Sequence, residues 1–290
     1  MICNMCPRKC NLDRSIKVGL CGVGELPRVA KAYLHKWEEP IISGKNGSGT
    51  IFFSGCNLKC AYCQNHKISH NNYGKYITYE KLAQIFKDLE NAGASNINLV
   101  SPSHYVQAIK NALDIYRPSI PIVYNSSGYD SLDGLEMLKD YIDIYLVDFK
   151  YWDASLAGKL SKAPDYPEVA KHAILKMREL CPCEEYDDHG MLKKGVVIRH
   201  LVLPNHTDDS IHILEWVRDN IKDPFVSLMA QYTPMYHAKM FDDINRPLKP
   251  IEYKVVEQAM VNMGLTTGYS QELTSANDCY TPVFDCEGVN

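Results

Sequence analysis

At about 150 residues per domain, a chain of 290 residues would make two domains, yet α/β barrels fill the same length as one. Hydrophobic residues make up 46% and charged residues 23%, with only 17 glycines and 15 prolines, which excludes a disordered, collagen-like or low-complexity chain. The formal net charge of -4 provides no general basic field to attract nucleic acid or an acidic membrane, so partners must be read from local sites and nucleic acid is not expected among them.

The first residues, MICNMCPRKCNLDRS, carry charges and cysteines where a secretory signal needs an apolar core. The longest apolar runs are strand-length, far short of the ~20 residues of a membrane helix. A cytoplasmic chain with no membrane partner is expected. There, eleven cysteines point to metal or redox chemistry rather than to a disulfide framework.

In chain order, a cysteine-rich head (1–49) ends in the flexible run SGKNGSG. The first predicted strand is TIFFSG (50–55), and a helix follows over 79–94, where Leu82, Ile85, Phe86 and Leu89 recur at helical spacing before Gly93. Five further strand–helix units follow: 97–102 with 105–116, 121–126 with 132–141, 142–150 with 167–180, 195–204 with 208–221, and 225–232 with 251–264. Their strands are continuous apolar runs, as buried parallel strands are, so the alternation over 50–265 predicts a doubly wound sheet or a barrel. Residues 181–195 read as a long charged loop, and 266–290 as a tail with little periodicity.

Cys56, Cys60 and Cys63 stand in SGCNLKCAYCQN, directly after the first strand. The carboxyl end of a strand is where parallel α/β folds place their chemistry. A cubane has four irons, so a local triplet of thiolates leaves one without a nearby cysteine unless Cys21 or Cys181 closes the site. An open coordination position is the mark of a catalytic rather than a structural metal centre; the alternative is a zinc knuckle.

The C-x3-C-x2-C spacing, with Tyr62 before the last cysteine, resembles the defining motif of the radical S-adenosylmethionine enzymes. The resemblance implies a partial (β/α)6 TIM-type barrel, matching the six units counted from residue 50. It also implies a [4Fe-4S] cluster on Cys56, Cys60 and Cys63, with S-adenosylmethionine chelated at the open iron. One electron from an external donor of flavodoxin or ferredoxin type would then cleave the cofactor to a 5′-deoxyadenosyl radical, which abstracts hydrogen from a substrate that could be a peptide or protein.

Other residues could hold the cofactor. Ile144, Leu146, Asp148 and Lys150 alternate onto one face, apolar first and charged at the carboxyl end. Asp148 and Lys150 could serve the ribose and the cofactor carboxylate, or simply pair with each other. The D-x-K segment resembles the fourth-strand motif of pyruvate formate-lyase activating enzymes, and VVIRHLVLPN resembles their fifth strand, where Arg199 would serve the cofactor; His200 faces the other way and reads as packed. Asn125 resembles a polar position near the cofactor in that subgroup, or closes a loop. The second strand departs from those activases: Ser101-Pro102-Ser103-His104 stands where they carry a G-G-E turn, so Ser101 or Ser103 would have to receive the cofactor ammonium. With the cysteine-rich head, this turn is similar to that of the PflX-like homologues of the activases. Activation of a glycyl-radical enzyme, or a non-catalytic iron–sulfur electron carrier, are the alternative functions.

Four cysteines of the head, Cys3, Cys6, Cys10 and Cys21, lie within nineteen residues and could saturate zinc or anchor an iron–sulfur cluster. Cys181, Cys183, Cys279 and Cys286 are too scattered for a strong case.

Overall fold

The computed structural model describes residues 2–272 and 282–290. Its strands are β1 (Arg28–His35), β2 (Ser48–Phe53), β3 (Lys75–Tyr76), β4 (Ile97–Val100), β5 (Ile122–Ser126), β6 (Ile144–Asp148), β7 (Glu185–Tyr186), β8 (Leu192–Leu201), β9 (Phe225–Met229) and β10 (Gly268–Ser270). Strands β2, β4, β5, β6, β8 and β9 pair in that order, all parallel, and are the six of the sequence pattern. The hydrogen-bonded order runs from β10 to β3 without closing, so the result is a partial (β/α)6 barrel.

The pleat sorts the side chains. On β6, Tyr145 and Val147 join the large core between sheet and helices. Ile144 and Leu146 face inward, beside Val123, Val197 and Phe225. The helices are α1 (Pro40–Ser43), α2 (His66–Ser69), α3 (Tyr79–Asn91), α4 (Val106–Ile115), α5 (Leu132–Leu138), α6 (Ala154–Ser161), α7 (Tyr166–Leu180), α8 (Thr207–Asn220) and α9 (Pro250–Asn262). At the start of α3 the Thr78 hydroxyl accepts the Lys81 N–H at 3.2 Å, and Leu82, Ile85, Phe86 and Leu89 form its buried stripe.

The structure departs from the sequence reading in four places, each for a tertiary reason. The head does not stand apart: β1 pairs antiparallel with β2 and covers an edge of the sheet, and α1 then plugs the barrel interior with Ile42. Two helices, not one, join β6 to β8, because Asp153 caps α6 through the Leu156 N–H at 2.6 Å. Within 181–195, β7 folds back antiparallel on β8 in place of a long loop. The tail adds β10 parallel to β9, and its end lies along β1, where Cys286 N–H donates to Ala30 and Ala32 N–H to Glu287.

If α1 is the barrel's plug, truncating its central side chain leaves a cavity in a cluster of six other buried aliphatic and aromatic side chains. Ile42→Ala is expected to lower the unfolding free energy by about 2–5 kcal/mol in a denaturant titration; a loss under about 1 kcal/mol would mean the interior does not depend on this segment.

Candidate active site

The carboxyl ends of the parallel strands open into a cavity of about 280 Å³. Cys56, Cys60, Cys63 and Tyr62 line it from the loop after β2, with Ser101 after β4, Asn125 from β5, Asp148 and Lys150 at the end of β6, and Arg199 from β8. Nine of the ten expected site residues outside the head therefore share one space.

Backbone bonds hold the cysteine loop at several points. Ala61 N–H donates to the Leu160 carbonyl at 2.7 Å, His237 N–H to Ala61 at 2.9 Å, and the Asn57 side chain to the Tyr129 carbonyl at 2.7 Å. The sulfurs have local donors: the N–H groups of Leu58 and Lys59 reach Cys56 Sγ at 3.4 and 3.5 Å, and the Ser69 hydroxyl reaches Cys63 Sγ at 3.2 Å. Burial pushes the Cys56 thiol up, and the Cys63 thiol to about 12. Buried thiols of this kind become anionic only when a cation compensates them, as metal ligation does. Tyr62 packs edge-on between Tyr151 and Tyr232, with centroids at 6.4 and 5.8 Å.

Among the described residues no three His, Cys, Asp or Glu side chains converge as ligands of a single metal ion. A cubane does not need them to, because each thiolate binds a different iron. Three soft donors on one cavity wall, supported by N–H and hydroxyl donors to sulfur, fit such a cluster better than a zinc knuckle.

The opposite wall is an ion network. Arg199 Nε donates to Asp148 at 2.8 Å, Nη1 to Glu38 at 3.0 Å and Nη2 to Asn125 Oδ1 at 2.8 Å. Three of the five guanidinium donors are thus committed to protein acceptors. Lys150 Nζ meets Asp148 at 2.7 Å and retains donors toward the cavity. Burial alone would lift the Asp148 carboxyl, but Arg199 and Lys150 outweigh it and hold it below its usual value. For Lys150 burial works downward and the Asp148 charge prevails, keeping the ammonium protonated. Asn125 also donates to Glu38 at 3.0 Å, so its amide is a member of the network and not a loop closure.

Glu38 was not found from the sequence. Its carboxylate comes from the head, ten residues before β2, and takes bonds from Asn98, Asn125 and Arg199 inside the barrel. The neighbouring Glu39 accepts from Ser227 at 2.9 Å, and burial pushes its carboxyl up. The only local signal was two acidic residues preceding a proline, which reads as a solvated turn.

The S-P-S-H turn divides. Ser101 lines the cavity with φ +60°, its N–H bonded to Asn125. Ser103 does not reach the cavity; its hydroxyl bonds the buried Asp130, which Tyr124 and Ser126 also hold. The Ser103 expectation is therefore corrected: its side chain serves that network. His104 is a buried clip, its Nε2 3.0 Å from the Ser54 carbonyl. His200 is packed as expected, between the Phe149 carbonyl and the Ser210 hydroxyl. Cys181 bonds the Asp143 carbonyl, Cys183 is exposed and Cys286 lies beside β1, so these three do not assemble; Cys279 lies outside the described residues.

The model of the radical SAM superfamily matches residues 50–217. An uncharacterized protein of Methanocaldococcus jannaschii is 33% identical over 270 residues, covering 89% of this chain and 73% of that one. Among solved structures, SuiB of Streptococcus suis bound to S-adenosylmethionine is similar in fold, with TM-score 0.51 and 15% identity over 76% of this chain and 49% of that one. The chain therefore spans about half the length of that solved relative.

Removing the shared guanidinium should expose how much the wall depends on it. Arg199→Met is expected to cost about 3–5 kcal/mol at neutral pH, because buried carboxylates lose their partner. The sign with pH follows from Asp148. Its depressed pKa supplies stability that is full above the unfolded value near 4 and is lost as pH falls through the lower folded value, so the variant's deficit should be largest at neutral pH and shrink as pH falls below 4. Denaturant titrations across that range check this; a deficit independent of pH would rule out the ion network as its source.

Proposed function

The chain belongs to the radical S-adenosylmethionine superfamily, and on that premise we propose that the cavity binds S-adenosylmethionine beside a [4Fe-4S] cluster held by Cys56, Cys60 and Cys63. The observation that carries this reading is that the three cysteines share one cavity with Asp148 and Lys150. The cluster and S-adenosylmethionine, when bound there, would supply one-electron reductive cleavage of the cofactor for hydrogen abstraction.

This chain's residues have distinct tasks. Cys56, Cys60 and Cys63 would hold the cluster through three of its irons. The Lys150 ammonium faces an anionic group such as the cofactor carboxylate, while Asp148 accepts from hydroxyls and stays ionised against its two cations. Asn125 and Ser101 line the same wall. Arg199 is a positioning residue, holding Asp148, Asn125 and Glu38 in one arrangement. Tyr62, wedged between two tyrosines, closes one side of the cavity against water.

The cavity opens at the carboxyl ends of the parallel strands. A second reactant therefore meets the radical from the mouth, which suits a segment of peptide or protein presented from outside. The electron comes from an external one-electron donor of flavodoxin or ferredoxin type. The Ser101-Pro102-Ser103-His104 turn and the cysteine-rich head support placement with the PflX-like homologues of pyruvate formate-lyase activating enzyme.

After anaerobic reconstitution and dithionite reduction, the protein is expected to form 5′-deoxyadenosine from S-adenosylmethionine, and Cys60→Ala to form none. Equal formation by both proteins overturns the assignment, and cluster absorbance without 5′-deoxyadenosine in the unaltered protein indicates an electron carrier instead. Lys150→Met should weaken S-adenosylmethionine binding about tenfold or more, the scale of one charge-assisted hydrogen bond, read by equilibrium dialysis against the reconstituted protein.

A further inference from the structure

The segment 2–24 inverts the usual sorting of side chains. Ile2, Ile16 and Val18 are 64%, 78% and 56% exposed, while Cys3, Cys6 and Cys21 are 6%, 5% and 6% exposed. Among its described residues there is no helix or strand, only an isolated bridge between Ile2 and Asp13. Only its end, Cys21 and Val23, joins the main core, and the rest is a loop with no regular structure whose buried side chains are mostly thiols, the kind of segment that a staple holds.

The thiols supply the material for one. Cys3 and Cys21 both act electrostatically on Cys6, and Cys3 and Cys10 on Cys21, so the four form one group. The Arg8 backbone N–H and the Asn57 side chain donate to the Cys6 sulfur, and Arg14 lies near Cys21. Left-handed Lys9 and Asn11, at φ +41° and +51°, turn the chain so that Lys9 N–H closes on the Cys6 carbonyl and Asn11 N–H on Cys3. A Cβ at Gly19 would lie 3.1 Å from Cys10 Sγ and 3.8 Å from Cys21 Sγ, so a side chain there would crowd two of the sulfurs.

We propose that Cys3, Cys6, Cys10 and Cys21 hold an iron–sulfur cluster of their own, separate from the one at the barrel mouth. Four thiolates saturate such a cluster and leave no open iron, which makes it a staple and not a second catalytic centre. The same four thiolates would also complete a tetrahedral zinc site, and metal analysis separates the two. The staple bears on the active-site loop. The Cys21 carbonyl accepts the Cys56 N–H at 3.4 Å, and Arg8 Nε donates to the Asn57 carbonyl at 2.8 Å.

The test separates this cluster from the one at the barrel mouth. The full chain carrying Cys56→Ala, Cys60→Ala and Cys63→Ala, reconstituted anaerobically with ferrous iron and sulfide, should retain about four irons and four sulfides. Adding Cys3→Ser and Cys21→Ser should remove them, whereas adding the exposed-site change Cys183→Ser should not. In the otherwise unaltered chain, Cys3→Ser with Cys21→Ser should lower bound iron by about half and lower the melting temperature. One zinc and no iron in the barrel-cysteine variant, no metal there with the melting temperature unchanged, or unchanged iron in the Cys3/Cys21 variant each overturn the proposal. None of these readings depends on S-adenosylmethionine cleavage, so the result stands apart from the proposed activity.

Discussion

A single guanidinium joins the parts of the molecule that have to agree for the cavity to exist. Arg199 on β8 bonds Asp148 on β6, Asn125 on β5 and Glu38 from the head. Three neighbouring parallel strands and the segment that plugs the barrel are thus held to one register by charge-assisted bonds. Buried charge is costly unless it is paired and geometrically satisfied. The cost is met here because each partner is satisfied by others in the group: Asp148 by Lys150, and Glu38 by two asparagine amides.

The same economy governs the opposite wall. The cysteine loop follows a strand but has no regular structure, so its shape comes from bonds to its surroundings: Leu160 near the end of α6, Tyr129 after β5, His237, and the head through Cys21 and Arg8. A loop held from several sides keeps three sulfurs in fixed positions while leaving its inner face bare. The head, which in the chain precedes the whole barrel, therefore acts on both walls: Glu38 on the ionic side and Cys21 with Arg8 on the thiol side.

Much of the framework was legible in the chain. Six continuous apolar runs alternating with helical periodicity predict six parallel strands, and those strands pair in sequence order because consecutive βα units are neighbours in space. The period-two pattern of Ile144, Leu146 and Asp148 placed the carboxylate inside the barrel, and local spacing alone singled out Cys56, Cys60 and Cys63. Ser103 and Glu38 mark where such reading fails. Ser103 is two residues from Ser101 in an irregular turn, where no periodicity decides which hydroxyl faces the cavity. Glu38 reaches its partners across sequence separations of 60, 87 and 161 residues, and no local pattern carries that information.

The amino-acid order was enough for the strand–helix alternation, the inward face of β6 and the thiol triplet, since each is a matter of neighbours a few residues apart. The packed chain settled which charges meet Arg199, that the head plugs the barrel, and that the tail runs along β1. Those are encounters between distant segments, and their energies depend on burial and on the identity of the partner, neither of which exists until the chain has folded.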